Sequence, residues 1–113
     1  MLKAFLTGRG YSVVTAKDGQ EALETLKEHP NINVVLLDIK TPHIGGIEVL
    51  KEIMASKRHP EVIMMTGVND AQIAKLAFEL GAFDYCLKPF DLQRLEGLII
   101  ACMAHDEYRK HSA

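Results

Sequence analysis

The chain has 113 residues, 48% of them hydrophobic, which is enough for one domain with a single sizeable core. A formal net charge of −2 gives no electrostatic footprint for DNA, RNA or an anionic membrane, so nucleic acid and membrane are not expected as partners. No apolar stretch approaches the ~20 residues a membrane helix needs.

Met1 to Arg9 reads as a helix with Leu2, Phe5 and Leu6 on one face, stopped by Gly10. Tyr11 to Ala16 is rich in β-branched residues and reads as a strand. Asp18-Gly19-Gln20-Glu21 has capping-box spacing and opens a helix running to about His29, before Pro30. Val34 to Leu37 is a continuous apolar run, typical of a parallel strand buried on both faces. A loop bearing Pro42 and Gly46 follows, then a helix marked by Ile47, Leu50, Ile53 and Met54 that ends before Pro60.

Val62 to Met65 is a second buried strand. Asn69 caps the next helix, whose inner face is Ile73, Leu76, Ala77 and Leu80, with Gly81 as its stop. Phe83 to Leu87 is the last strand. Asp91 caps a final helix carrying Leu92, Leu95, Ile99 and Cys102 on one side. The packed domain is expected over residues 1–105, with 106–113 a polar, frayed tail. Cys86 and Cys102 sit in apolar surroundings without CxxC spacing, which predicts buried reduced thiols and a cytoplasmic location. The pair Met64-Met65 reads as core packing. His29, His43, His59, His105 and His111 are scattered without metal-ligand spacing.

Strands joined by helical crossovers make a parallel sheet with helices on both faces, an α/β, doubly wound fold. Four strands and five helices are expected. In such sheets ligands bind outside the carboxyl ends of the strands. Asp38, Thr66 and Lys88 each follow a strand, so a carboxylate, a hydroxyl and an ammonium group share one rim. This set suits phosphoryl transfer to a carboxylate: Asp38 supplies the nucleophilic oxygen, Lys88 neutralises the transferred group, and Thr66 hydrogen-bonds one of its oxygens. No Gly-rich phosphate loop follows any strand, which speaks against a nucleotide-binding enzyme.

The ordered motifs are Gly10-Tyr11-x-Val13, Ala16-x-Asp18-Gly19, Glu21-Ala22-Leu23, Leu36-Leu37-Asp38-x-x-x-Pro42-x-x-x-Gly46, Ile63-Met64-Met65-Thr66-Gly67, Gly81-Ala82-x-Asp84-Tyr85 and Leu87-Lys88-Pro89-Phe90. In this combination the chain resembles the receiver domain of two-component response regulators, over nearly its whole length. The resemblance implies a flavodoxin-like (CheY-like) fold and phosphorylation of Asp38 by a histidine kinase or histidine phosphotransfer protein, with a downstream protein target. It implies Thr66 as switch hydroxyl, Tyr85 as switch aromatic, Lys88 as phosphate contact and a cis peptide bond before Pro89. It also implies Mg²⁺ held by Asp38 and the backbone carbonyl of Lys40. The chain is then a signalling domain, catalysing at most its own phosphorylation and dephosphorylation.

The chain departs from the family at its start. Receivers open on a strand ending in an acidic pair that holds Mg²⁺; here the first element reads as a helix, and Asp106-Glu107 is no displaced copy. Mg²⁺ binding is therefore expected to be weak or lost. The family's strand order would leave Tyr11–Ala16 and Val34–Leu37 about 10 Å apart, twice the normal spacing. A shortened chain, a sheet re-formed by closure or by exchange with another chain, and a strand supplied by a different polypeptide are three open explanations. A dimer or strand exchange is expected on this ground. The rival function is a pseudo-receiver, an interaction module that works without phosphorylation.

Overall fold

The computed structural model describes residues 2–40, 45–67, 71–88 and 91–111. Five helices and three strands alternate along them: α1 (Leu2–Gly8), α2 (Gly19–Glu28), β1 (Val34–Asp38), α3 (Gly46–Met54), β2 (Glu61–Thr66), α4 (Ala71–Glu79), β3 (Asp84–Leu87) and α5 (Leu92–His111). The strands form one parallel sheet in the order β1-β2-β3. The register sets Asp38 beside Met65 and Thr66 beside Leu87, so the carboxyl ends of all three strands lie on one edge.

The helix starts follow local chemistry. Asp18 has extended backbone and its Oδ1 accepts the Glu21 N–H (2.8 Å), while Glu21 reaches back to accept the Lys17 N–H (3.1 Å). Two orphan donors of α2 are thereby satisfied. Asp91 does the same for α5, accepting from the N–H groups of Gln93 and Arg94. The helix α4 ends before Gly81, whose φ of +110° only glycine adopts without strain.

Alternation along the strands divides the core in two. Leu37, Val62 and Met64 point to a cluster completed by α3 and Ala77 of α4, with Leu23 and Leu26 of α2 packed against it. Ile63 and Cys86 point the other way, to Leu6 of α1 and to Leu95, Ile99 and Cys102 of α5. Helices therefore cover both faces of the sheet. The central strand β2 is buried throughout, while β1, at the sheet edge, is mostly half-buried despite its unbroken apolar run.

Three expectations need correction or fall elsewhere. The expected strand Tyr11–Ala16 is not one, so three strands are found instead of four. Tyr11 and Val13 still pack on the α1/α5 cluster and Val14 is 52% exposed, so the in-out alternation survives without a ladder. A strand needs a backbone partner as well as a side-chain pattern, and these residues have no place in the sheet. Helix α5 runs on to His111, through the stretch read as a polar tail, because Asp106 is buried and bonded at the far edge of the sheet. The cap Asn69, the loop Thr41–Ile44 with Pro42 and His43, and the peptide bond to Pro89 lie outside the described residues.

Candidate functional site

The rim is built by continuing the sheet one residue beyond its strands. The Ile39 N–H donates to the Met65 carbonyl (3.0 Å) and the Lys88 N–H to the Thr66 carbonyl (2.7 Å). Asp38 and Lys88 thus leave the sheet from backbone that is already pinned. Gly46 closes the turn after β1, donating its N–H to the Ile39 carbonyl (3.0 Å). A Cβ at this position would lie 2.4 Å from the Asp38 carbonyl oxygen and 2.7 Å from the Ile39 Cα, both backbone atoms. Only glycine lets α3 start so close to the phosphoryl-acceptor candidate.

Asp38 and Lys88, fifty residues apart, meet directly: the Lys88 Nζ donates to Asp38 Oδ2. The other carboxylate oxygen accepts the Lys40 N–H (2.9 Å). Burial pushes the Asp38 carboxyl up, but the Lys88 hydrogen bond, the Lys40 N–H and the charges of both lysines outweigh it and hold the group below its ordinary value. The carboxylate is therefore ionised and partly open to solvent, with its side chain 35% exposed. An ionised, reachable oxygen is what a phosphoryl acceptor needs.

Thr66 ends β2 one residue beyond the Asp38–Met65 pair and is buried. Tyr85 lies in β3 beside Met64, half-buried against the α2/α3/α4 cluster. The structure therefore joins Asp38 and Lys88 by a direct contact and places Thr66 at the neighbouring strand end, with Tyr85 inside the sheet three residues before Lys88.

A closed Mg²⁺ site does not follow from these residues. Asp38 and the Lys40 carbonyl offer one carboxylate and one carbonyl towards the six oxygens that Mg²⁺ takes. Among the described residues no three His, Cys, Asp or Glu side chains gather where an ion could sit. Two open clefts, of about 200 and 410 Å³, lie between α2 and α3, lined by Leu23, Lys27 and Glu52 among others, away from Asp38.

A second polar cluster, at the opposite edge of the sheet, escaped the sequence reading. Glu61, at the start of β2, is buried and accepts from Arg109 (2.9 Å) while its other oxygen meets His105 Nδ1 (2.7 Å). Arg109 also donates to Asp106 Oδ1 (3.1 Å) and to the His59 carbonyl (2.8 Å), and Asn33 donates to Asp106 Oδ2 (3.1 Å). Reading residues 106–113 as a tail hid the shared helix of His105, Asp106 and Arg109, and nothing local to them points to a strand residue over forty positions away.

A family described as the response regulator receiver domain matches residues 1–100. The transcriptional regulatory protein ZraR of Escherichia coli is 36% identical over 105 residues, 93% of this chain and 24% of that protein. The DNA-binding transcriptional regulator NtrC of Klebsiella pneumoniae is 38% identical, over 93% of this chain and 22% of its own length. The chain thus spans about a quarter of these curated relatives. The expectation that nucleic acid has no part, drawn from charge, does not fit a relative so named and is carried no further.

Among solved structures, a response regulator receiver domain protein from Clostridium thermocellum superposes with a TM-score of 0.88 at 35% identity, covering 95% of this chain and 86% of that one. A chain of the CheX-CheY-BeF3-Mg²⁺ complex from Borrelia burgdorferi superposes with a TM-score of 0.82 at 33% identity, covering 88% and 76%. No helix of the described residues is long and apolar enough to cross a membrane.

Proposed function

The chain belongs to the response regulator receiver domain family, and from that premise we propose that it accepts a phosphoryl group on Asp38 and passes the change on as altered partner binding. Receivers are signalling domains rather than classical enzymes, and their phosphoryl group is carried on aspartate. The observation that carries the reading is the direct contact between Lys88 and the ionised Asp38 at one strand-end rim.

In this reading a histidine kinase or histidine phosphotransfer protein presents a phosphoimidazole. A carboxylate oxygen of Asp38 attacks phosphorus in line, the P–N bond breaks, and its electron pair leaves with the imidazole. Lys88 shifts from the carboxylate to the arriving oxygens and neutralises their charge. The hydroxyl of Thr66 hydrogen-bonds one of them, which frees room for Tyr85 to turn. The new charge of roughly −1.5 to −2 favours that arrangement, and partners that prefer it shift the population. The face of α4, β3 and α5 is where a downstream protein reads the change, in the cytoplasm. In the family, Mg²⁺ supplies further charge neutralisation when bound; the residues described here do not by themselves complete a site for it.

The test is incubation of the 113-residue chain with a small phosphodonor and Mg²⁺, read by intact mass. A gain of one phosphoryl group that is lost in Asp38→Asn supports the reading, and a chain that stays unmodified sinks it. That no three His, Cys, Asp or Glu side chains gather at an ion site among the described residues favours a second reading, a pseudo-receiver that binds partners without being phosphorylated. Equal partner affinity for wild type and Asp38→Asn would point there. Strand exchange or dimer formation, where it occurs, engages the outer side of β1, and sedimentation velocity reads it.

A further inference from the structure

The two clefts between α2 and α3 form one groove, because Leu23, Lys27 and Glu52 line both. Its floor is apolar. Ile53 is buried, while Leu23 and Leu26 are half-buried, packed on the core from one side and open to the groove from the other. Its walls are charged, and the sign changes along the groove. Among the described residues, Glu24, Glu48 and Glu52 line one cleft against Lys27, and Lys27 and Arg58 line the other against Glu52. These opposite charges do not close on each other: Lys27 and Glu52 form no ion pair among the described residues. Glu24 accepts a long hydrogen bond from Gln20 (3.4 Å), and Glu48 contacts Lys51 at 3.5 Å, both on the exposed surface. The groove therefore keeps an acidic end and a basic end facing solvent.

Gln20, Leu23, Glu24 and Lys27 recur at i, i+3, i+4 and i+7, so this wall is one stripe of α2, about 10 Å or two turns long. A straight groove between two helices takes the side chains of a third helix lying along it. The more stable charge pattern for that third helix puts acidic residues in its first turn and basic residues in its last. Such a helix matches the groove when laid antiparallel to α2. Its basic end then lies over Glu24 and Glu48, near the start of α2, and its acidic end over Lys27 and Arg58. We infer that this groove docks a partner protein's amphipathic helix in that orientation, with two apolar side chains on Leu23, Leu26 and Ile53. The contact stands apart from phosphoryl acceptance, since the groove lies away from Asp38 and uses neither Asp38 nor Lys88. A two-turn contact is far smaller than a stable interface, so the complex is weak and transient.

The experiment titrates the ¹⁵N-labelled 113-residue chain with a synthetic helical peptide of about four turns, followed by amide shifts. The peptide carries Glu in its first turn, two leucines at i and i+4 in its middle, and Lys in its last turn. A control peptide of the same composition has the charges exchanged end for end. Saturable shifts along residues 20–27 and 48–53 are expected, with a midpoint about five-fold lower for the first peptide than for the control. Glu24→Lys and Glu48→Lys should each weaken binding of the first peptide about five-fold, while Glu24→Asp keeps it within about two-fold. Both glutamates are exposed, so these variants keep the fold, and thermal melts check that. Asp38→Asn should bind the peptide as the unaltered chain does. Absence of saturable shifts, equal midpoints for the two peptides, or a Glu24→Lys midpoint equal to wild type would each overturn the inference. Shifts along the groove on concentrating the chain alone would place a second copy there and overturn it too, and loss of binding in Asp38→Asn would overturn its independence from the rim.

Discussion

Arg109→Ala is expected to cost more than its place in the last turns of a terminal helix suggests. The guanidinium binds Glu61, Asp106 and the His59 carbonyl at 2.8 to 3.1 Å. Both acidic side chains are 7% exposed, against 31% for the arginine. Removing one partner of a buried ion pair typically costs about 3–5 kcal/mol, because the charge left behind is stranded. Here the arginine is partly open, so water enters where it stood, and His105 and Asn33 still contact the two acids. A loss of about 2–3 kcal/mol is therefore expected, a large share of the ~5–15 kcal/mol that holds a domain of this size together. In urea denaturation followed by far-UV circular dichroism, the midpoint should fall by roughly 1–2 M with the slope unchanged. Adding Glu61→Gln to Arg109→Ala should recover part of the loss, since a stranded charge is removed with it. A single-variant loss below about 0.5 kcal/mol, or strict additivity in the double variant, would refute the account of this cluster as a buried, mutually dependent network.

Gly46→Ala forces a methyl group into the Asp38 and Ile39 backbone, so a loss of roughly 1–3 kcal/mol and a strongly reduced rate of phosphoryl acceptance are expected by thermal melting and mass. A wild-type melt would show that the turn yields freely. Asp18→Ala removes the cap on the Glu21 N–H and should cost about 1 kcal/mol in the same melt while leaving the Asp38 rim unaffected. The thiols supply a pH test. Burial first, then the nearby charges of Glu61, Asp84 and Asp106, push Cys102 up to about 12, and burial raises Cys86 as well. A thiol raised on folding favours the native state below its unfolded value near 9, and that contribution is lost as pH climbs towards 12. Native protein at pH 8 should react with a disulfide reagent only as fast as it unfolds, and fast labelling of Cys102 in the absence of denaturant would contradict its burial.

What the sequence determined by itself was everything set by neighbours along the chain. The caps at Asp18 and Asp91, the stop at Gly81 and the buried apolar run of β2 follow from spacing and backbone preference and take their expected form, while β1 forms its strand but stays mostly half-buried at the sheet edge. The meeting of Asp38 with Lys88 was legible for one further reason: parallel strands align their carboxyl ends, so position along each strand suffices to predict proximity. Pairing is a different matter. The segment Tyr11–Ala16 carries a strand's side-chain pattern yet joins no ladder, because a strand exists only where a second backbone lies within hydrogen-bonding reach. Burial of charge is another. Glu61 drew no reading from the sequence, and Asp106 with the polar end of α5 looked like a frayed tail, until the helix laid His105, Asp106 and Arg109 across the start of β2. Charges that sit apart in sequence become stable inside only when the fold brings the opposite charge to meet them, and that meeting is decided in three dimensions.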